Sequence, residues 1–117
     1  MSFSQQPPED IPEDTHLLKA VLPPLLEDFQ HWFGRSVDLL ETKDISFLSA
    51  EQLQDLLSRV RSAQMQVRAS QSLAAATDSK AGIEMSVVMV WHKLVHECWG
   101  VALRYRKEQA MLEPPTP

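Results

Sequence analysis

The sequence predicts an all-α protein, an antiparallel up-down-up bundle of three long helices. Three observations carry that expectation. Only three glycines occur in 117 residues, and the long runs between them are rich in Leu, Gln, Ala, Glu, Arg and Met, which lose little on entering a helix. Apolar residues recur at steps of three and four through three separate stretches, the period of a helix with a buried face. The links between those stretches are short, which favours antiparallel neighbours.

The first helical pattern runs from about Thr15 to Glu41, with Leu18, Leu22, Leu25, Phe29, Trp32, Phe33, Val37 and Leu40 on its apolar stripe. Pro23-Pro24 removes two amide donors inside it, so a short opening piece to about Leu22 is expected, then a kink or restart at the proline pair. Gly34, beside Trp32 and Phe33, either permits a close helix crossing or simply costs about 1 kcal/mol relative to alanine.

Ser49 opens the second helix. Ser49-x-x-Gln52 is a capping box, with Leu48 and Leu53 placed as its hydrophobic staple. Leu53, Leu56, Leu57, Val60, Ala63, Val67 and Ala74 form the buried stripe, to about Ala76. Its acids (Glu51, Asp55) come early and its arginines (Arg59, Arg61, Arg68) later, as the helix dipole favours.

Thr77-Asp78-Ser79 reads as the next turn, with Asp78 or Ser79 as N-cap, Gly82 near the helix start, and a third helix from about Lys80 to Met111. The three helices are each near 40 Å long at 1.5 Å per residue. The end of the third then lies beside the first link. There Arg104, Arg106 and Lys107 would meet Asp38, Glu41, Asp44, Glu51 and Asp55, in exposed pairs worth about 0–1 kcal/mol each.

The third helical stretch has an unusually wide apolar arc. Between Ile83 and Lys107 its polar positions gather into one narrow stripe of Ser86, Lys93, Glu97, Gly100 and Arg104. Ile83, Val87, Val90, Leu94, Cys98, Val101 and Tyr105 form one ridge, flanked by Trp91, Val95 and Ala102. Met85, Met89, His92, His96, Trp99 and Leu103 form a second. The apolar arc is roughly 260° wide, against a little over 100° for an ordinary surface helix. Such a helix is either the centre of its domain or lends one face to a partner.

Charge and termini narrow the function. A formal charge of −5 argues against nucleic-acid binding, which needs a clustered basic face. Residues 1–14 carry Pro7, Pro8 and Pro12 with Glu9, Asp10, Glu13 and Asp14, a composition expected to stay a disordered acidic tail. Residues 113–117 read the same way, leaving 15–112 as the bundle domain. Without the first fourteen residues, eleven basic side chains face twelve acidic ones, so most of the net charge lies in the tail. A single cysteine excludes an intrachain disulfide and suits a reducing cytosol. The N-terminus lacks a signal pattern and the longest apolar run, Val87 to Trp91, is far short of a membrane span. A cytoplasmic protein is expected.

The candidate chemistry is sparse. His92 and His96, four apart, point from one helix face and could hold a metal, but two ligands are not a site, and His16, His31 and Cys98 lie elsewhere. Histidines packed between helices or lining a groove are the simpler reading, so no metal and no cofactor are expected. Cys98 falls on the apolar ridge, where a thiol behaves as a small hydrophobe. No phosphate loop and no catalytic triad stand out, so no catalytic residue is assigned. What remains is the second ridge, thioethers beside an aromatic anchor, a chemistry suited to gripping an apolar segment. Cover by the other two helices is the alternative. Two neighbours, though, cover only about 180–200° of a helix.

At LLEDFQHWFGRSVDLLE (25–41) and MVWHKLVHECWGVALRYR (89–106) the chain resembles a family of small cyanobacterial proteins classed as a domain of unknown function, over roughly residues 15–110. That resemblance implies a cyanobacterial cytoplasm and no known catalytic residue. The chain also looks like the small helical assembly chaperones that hold a flexible segment of a carboxysome shell protein. The expectation is a non-enzymatic protein-binding module, at its most specific such a chaperone, with Met85, Met89, His92, His96, Trp99, Leu103 and Trp32 as partner-binding residues. A structural homodimer using the same ridge is the main alternative, and a metal-dependent enzyme a remote one.

Overall fold

The computed structural model describes residues 10–112, with side chains from Leu18 onward. The expected tails at 1–9 and 113–117 lie outside the described residues. Three helices make up the fold: α1 Asp10–Thr42, α2 Ala50–Thr77 and α3 Met85–Leu112. No strand occurs among the described residues, and the fold is an all-α three-helix bundle.

Contacts between the elements fix their direction. At one end the Leu18 side chain lies against Gly82. At mid-height the Trp32 and Trp99 rings meet at 5.2 Å. At the far end Arg104 stacks over Phe47 at 4.2 Å and the Ser46 hydroxyl donates to Glu108 at 3.1 Å. Helices α1 and α3 therefore run parallel, with α2 reversed between them in the chain.

The hub is α1, not α3. It packs extensively along α2 and more lightly along α3, and its Leu22, Leu26, Phe29, Phe33 and Leu40 are buried between both neighbours. The width of an apolar arc marks how much surface a helix can bury, and in α3 much of that capacity is unused. Trp91, Leu94, Val95 and Cys98 are its buried residues. Val90, on the first apolar ridge, is 61 % exposed, because α2 touches α3 only sparsely and an open groove lined by Arg59, Gln66, Val90 and Lys93 separates them.

Several boundaries differ from the sequence reading. Helix α1 begins at Asp10 rather than Thr15, so residues 10–14 of the expected tail are helical. Pro12 falls in the first turn, where a missing amide is an orphan donor anyway. The expected restart at Pro23-Pro24 does not occur, and the pair is accommodated within one continuous helix. Both prolines are exposed, so the carbonyls of Lys19 and Ala20, four residues earlier, can turn to water.

Helix α3 begins at Met85 rather than Lys80. Asp78 is not its N-cap but the C-cap of α2, in a left-handed conformation (φ 56, ψ 42) with its amide donating to the Ala74 carbonyl. Ser79 follows at φ 65 and Gly82 at φ 66. Left-handed residues cannot propagate a helix. The Glu84 carbonyl then accepts the amides of Val87 and Val88, and α3 is under way. By contrast, the start of α2 is as expected: the Gln52 amide donates to Ser49 Oγ at 3.0 Å, and the Ser49 amide donates to Gln52 Oε1 at 2.9 Å.

The charge match foreseen between the first link and the end of α3 is not how the carboxylates pair. Glu41 binds Arg61 of α2, and Asp55 binds Arg59 within α2 at 2.9 Å. Arg59 also reaches Glu97 of α3 at 2.6 Å, while Arg104 lies on Phe47. All these groups are well exposed, so each pair contributes at most about 1 kcal/mol.

Candidate functional site: an aromatic cleft between α1 and α3

Parallel α1 and α3 leave a cleft of about 520 Å³ along their shared face. Helix α1 contributes Trp32, Arg35, Ser36 and Leu39; α3 contributes Cys98, Trp99, Ala102, Leu103 and Arg106. Each set follows helical spacing, so one face of each helix supplies one wall. The two tryptophans meet edge to face with planes 81° apart, the geometry that aligns a positive ring edge with a negative ring face. Trp99 keeps 42 % of its surface exposed and Leu103 49 %.

Aromatic contact extends beyond the cleft. His31 stands against Trp32 at 5.0 Å, His96 against Trp99 at 5.1 Å, and His92 against His96 at 4.6 Å. An unbroken run of five rings thus crosses from α1 to α3 and along it. Met89 and Met85 continue the line toward the start of α3, at 54 % and 69 % exposed. Two cations sit at the cleft, Arg106 and Arg35, the latter 5.8 Å from the Trp32 ring centre. Among the described residues no carboxylate lines the cleft, although the whole chain is acidic.

The seven residues singled out in the sequence divide here. Trp32, Trp99 and Leu103 line the cleft, His92 and His96 extend its aromatic run, and Met85 and Met89 lie on the same helix face outside it. His31, Arg35, Ser36, Leu39 and Arg106 were not foreseen. A signal for three of them existed, since Arg35, Ser36 and Leu39 stand three, four and seven residues after Trp32, which places all four on one helix face. Nothing in the sequence said that this face would lie beside Trp99.

Cys98 forms the cleft floor and is 3 % exposed. Burial pushes its thiol above the ordinary value of 9.0, against a smaller lowering by the Ser36 hydroxyl. It stays protonated at neutral pH and is no nucleophile. In the native protein Cys98 is expected to react with iodoacetamide far more slowly than in urea, as read by mass spectrometry. A pKa raised on folding means the thiolate is better tolerated in the unfolded chain. The thiol's stabilising contribution is therefore complete below about pH 9 and fades as pH rises beyond it.

Among the described residues no cluster of three or more His, Cys, Asp or Glu side chains could hold a metal ion, and no helix is long and apolar enough to cross a membrane. No curated protein and no solved structure matches the chain. A family model does match, over residues 12–107, from the start of α1 almost to the end of α3. The chain belongs to that family, described as "Protein of unknown function (DUF2605)".

Proposed function

We propose that the protein is a non-enzymatic protein-binding module that holds a flexible apolar segment of a partner in the α1/α3 cleft. The observation that carries this reading is the Trp32–Trp99 pair, Trp32 partly buried and Trp99 exposed, flanked by Leu103, Arg35 and Arg106. Half-buried tryptophans beside arginines are the side chains that dominate binding energy at protein interfaces. Their contact with one another holds them in place, so little ordering entropy remains to be lost on binding. With arginine as the charged residue of the cleft, an apolar segment carrying a carboxylate is favoured over a basic one.

The finer reading is an assembly chaperone for a carboxysome shell protein in a cyanobacterial cytoplasm. Its support is the likeness to small helical assembly chaperones described above, which is separate from the family resemblance of residues 25–41 and 89–106. Affinity capture from a cyanobacterial lysate, wild type beside Trp99→Ala, tests both levels when followed by titration of synthetic segments from the captured protein. Shell proteins held by wild type and lost by the variant support the chaperone. A different prey lost by the variant keeps the binding module and removes the carboxysome. Binding that is equal in both proteins overturns the cleft.

A further inference from the structure

His92 and His96 are the one feature of the ridge that apolar binding does not use. Both are exposed, one turn apart, with ring centres 4.6 Å apart. Two imidazoles on one tetrahedral metal, at metal–nitrogen distances of 2.0–2.1 Å, have ring centres roughly 5 Å apart. The pair is thus already near a chelating geometry. Only two ligands are present, and no third His, Cys, Asp or Glu completes the set among the described residues.

The ridge itself indicates where the remaining ligands come from. It is symmetrical about Leu94: His92 and His96 lie two residues to either side, Met89 and Trp99 five, Met85 and Leu103 nine. A second α3 laid antiparallel across this face, with a two-fold axis at the height of Leu94, whose own side chain is buried on the far side of the helix, sets Met85 against Leu103, Met89 against Trp99 and the two histidine pairs against each other. Self-complementarity of this kind is what an isologous dimer requires. The ridge spans about 27 Å at 1.5 Å per residue. One helix seam of that length gives an interface at the small end of the stable range, where a bridging metal makes the difference between encounter and dimer.

We propose that a divalent transition metal, zinc by ligand chemistry, joins two copies of this chain through four histidines, His92 and His96 from each. Neutral imidazoles in a tetrahedral set suit zinc. This goes beyond the segment-binding reading and does not depend on it. The two meet at Trp99 and Leu103, which the dimer covers, so the metal-bridged dimer and the segment-bound chain exclude one another.

The test uses the full chain without a polyhistidine tag, in chelator and then with added zinc, read by light scattering coupled to size exclusion. The expected result is a mass rising from 13.3 kDa to twice that, saturating at one zinc per two chains. Cobalt substituted for zinc gives the intense visible absorption of a tetrahedral site. His92→Ala and His96→Ala, both exposed and therefore expected to fold, lose the metal-dependent dimer, whereas His31→Ala keeps it. Met89→Asp, opposite Trp99 in this pairing, weakens the dimer while circular dichroism remains helical. A chain that stays at 13.3 kDa in saturating zinc, a dimer unaffected by either histidine variant, or one zinc bound per chain without a mass change overturns the proposal.

Discussion

Trp91→Ala is expected to destabilise the fold by about 3–5 kcal/mol, the usual cost of removing a buried aromatic side chain from a core. Trp91 is 1 % exposed, the largest of the fully buried side chains. Its ring meets Phe29 of α1 edge to face at 5.3 Å, and Phe29 in turn stacks on Phe33 at 5.9 Å. Its indole nitrogen donates to Gln66 Oε1 of α2 at 2.9 Å. One side chain therefore ties α3 to both other helices, in a structure where α3 is the more lightly packed partner. With total stabilities of about 5–15 kcal/mol for domains in general, that loss takes a large share. Urea unfolding followed by circular dichroism measures it. Trp91→Phe separates the two contributions: it keeps an aromatic ring against Phe29 and gives up the hydrogen bond, at about 1 kcal/mol. The amide of Gln66 is exposed and turns to water. A Trp91→Ala cost below that of Trp91→Phe would mean that α3 does not dock through this residue.

The parts of the fold legible in the sequence are those decided locally. The capping box at Ser49 and Gln52 is a contact between residues three apart, and it formed as read. The stripe of α2 is also local: Leu56, Leu57, Val60, Ala63, Val67 and Ala74 are buried, and Leu53, expected with them, is only partly buried against the core. Errors came where one residue type serves two purposes. Asp78 can cap the start of one helix or end another, and the left-handed pair Asp78–Ser79 settled it for the end of α2. Prolines 23 and 24 break a helix only when the freed carbonyls are left without partners, and exposure removes that condition. The choice of hub was not local at all. The width of its apolar arc made α3 the most conspicuous helix, yet centrality belongs to α1, whose one buried stripe of Leu22, Leu26, Phe29, Phe33 and Leu40 packs against both other helices.

The site was half legible for the same reason. A helical wheel can show that Met85, Met89, His92, His96, Trp99 and Leu103 share a face. It cannot show which wall α1 adds: Arg35 and Leu39 entered only through the parallel alignment of α1 with α3, whereas Arg106, seven residues after Trp99, shares the face of α3. The cations change the chemistry of the face from plainly apolar to one that selects the charge of its ligand.

Trp99→Ala should behave in the opposite way to Trp91→Ala, although the two residues lie only two turns apart on one helix. Trp99 retains 42 % of its surface in contact with water, so truncation removes only part of a buried side chain, about 1–2 kcal/mol by area. Its edge-to-face contact with Trp32 adds about 0.5–1.5 kcal/mol, which a double-mutant cycle with Trp32→Ala isolates. The larger loss falls on binding. A central tryptophan anchor is worth about 2 kcal/mol or more, roughly a 30-fold or greater rise in Kd for the captured segment, measured by isothermal titration under conditions where the variant is fully folded. Rim substitutions at Arg35 or Arg106 should instead weaken binding modestly and flatten its dependence on salt, because exposed charges steer a ligand more than they hold it. Cleft and core are thus distinguished by two numbers on one helix. Should Trp99→Ala cost the fold as much as Trp91→Ala and leave affinity unchanged, Trp99 is core and the binding surface lies elsewhere.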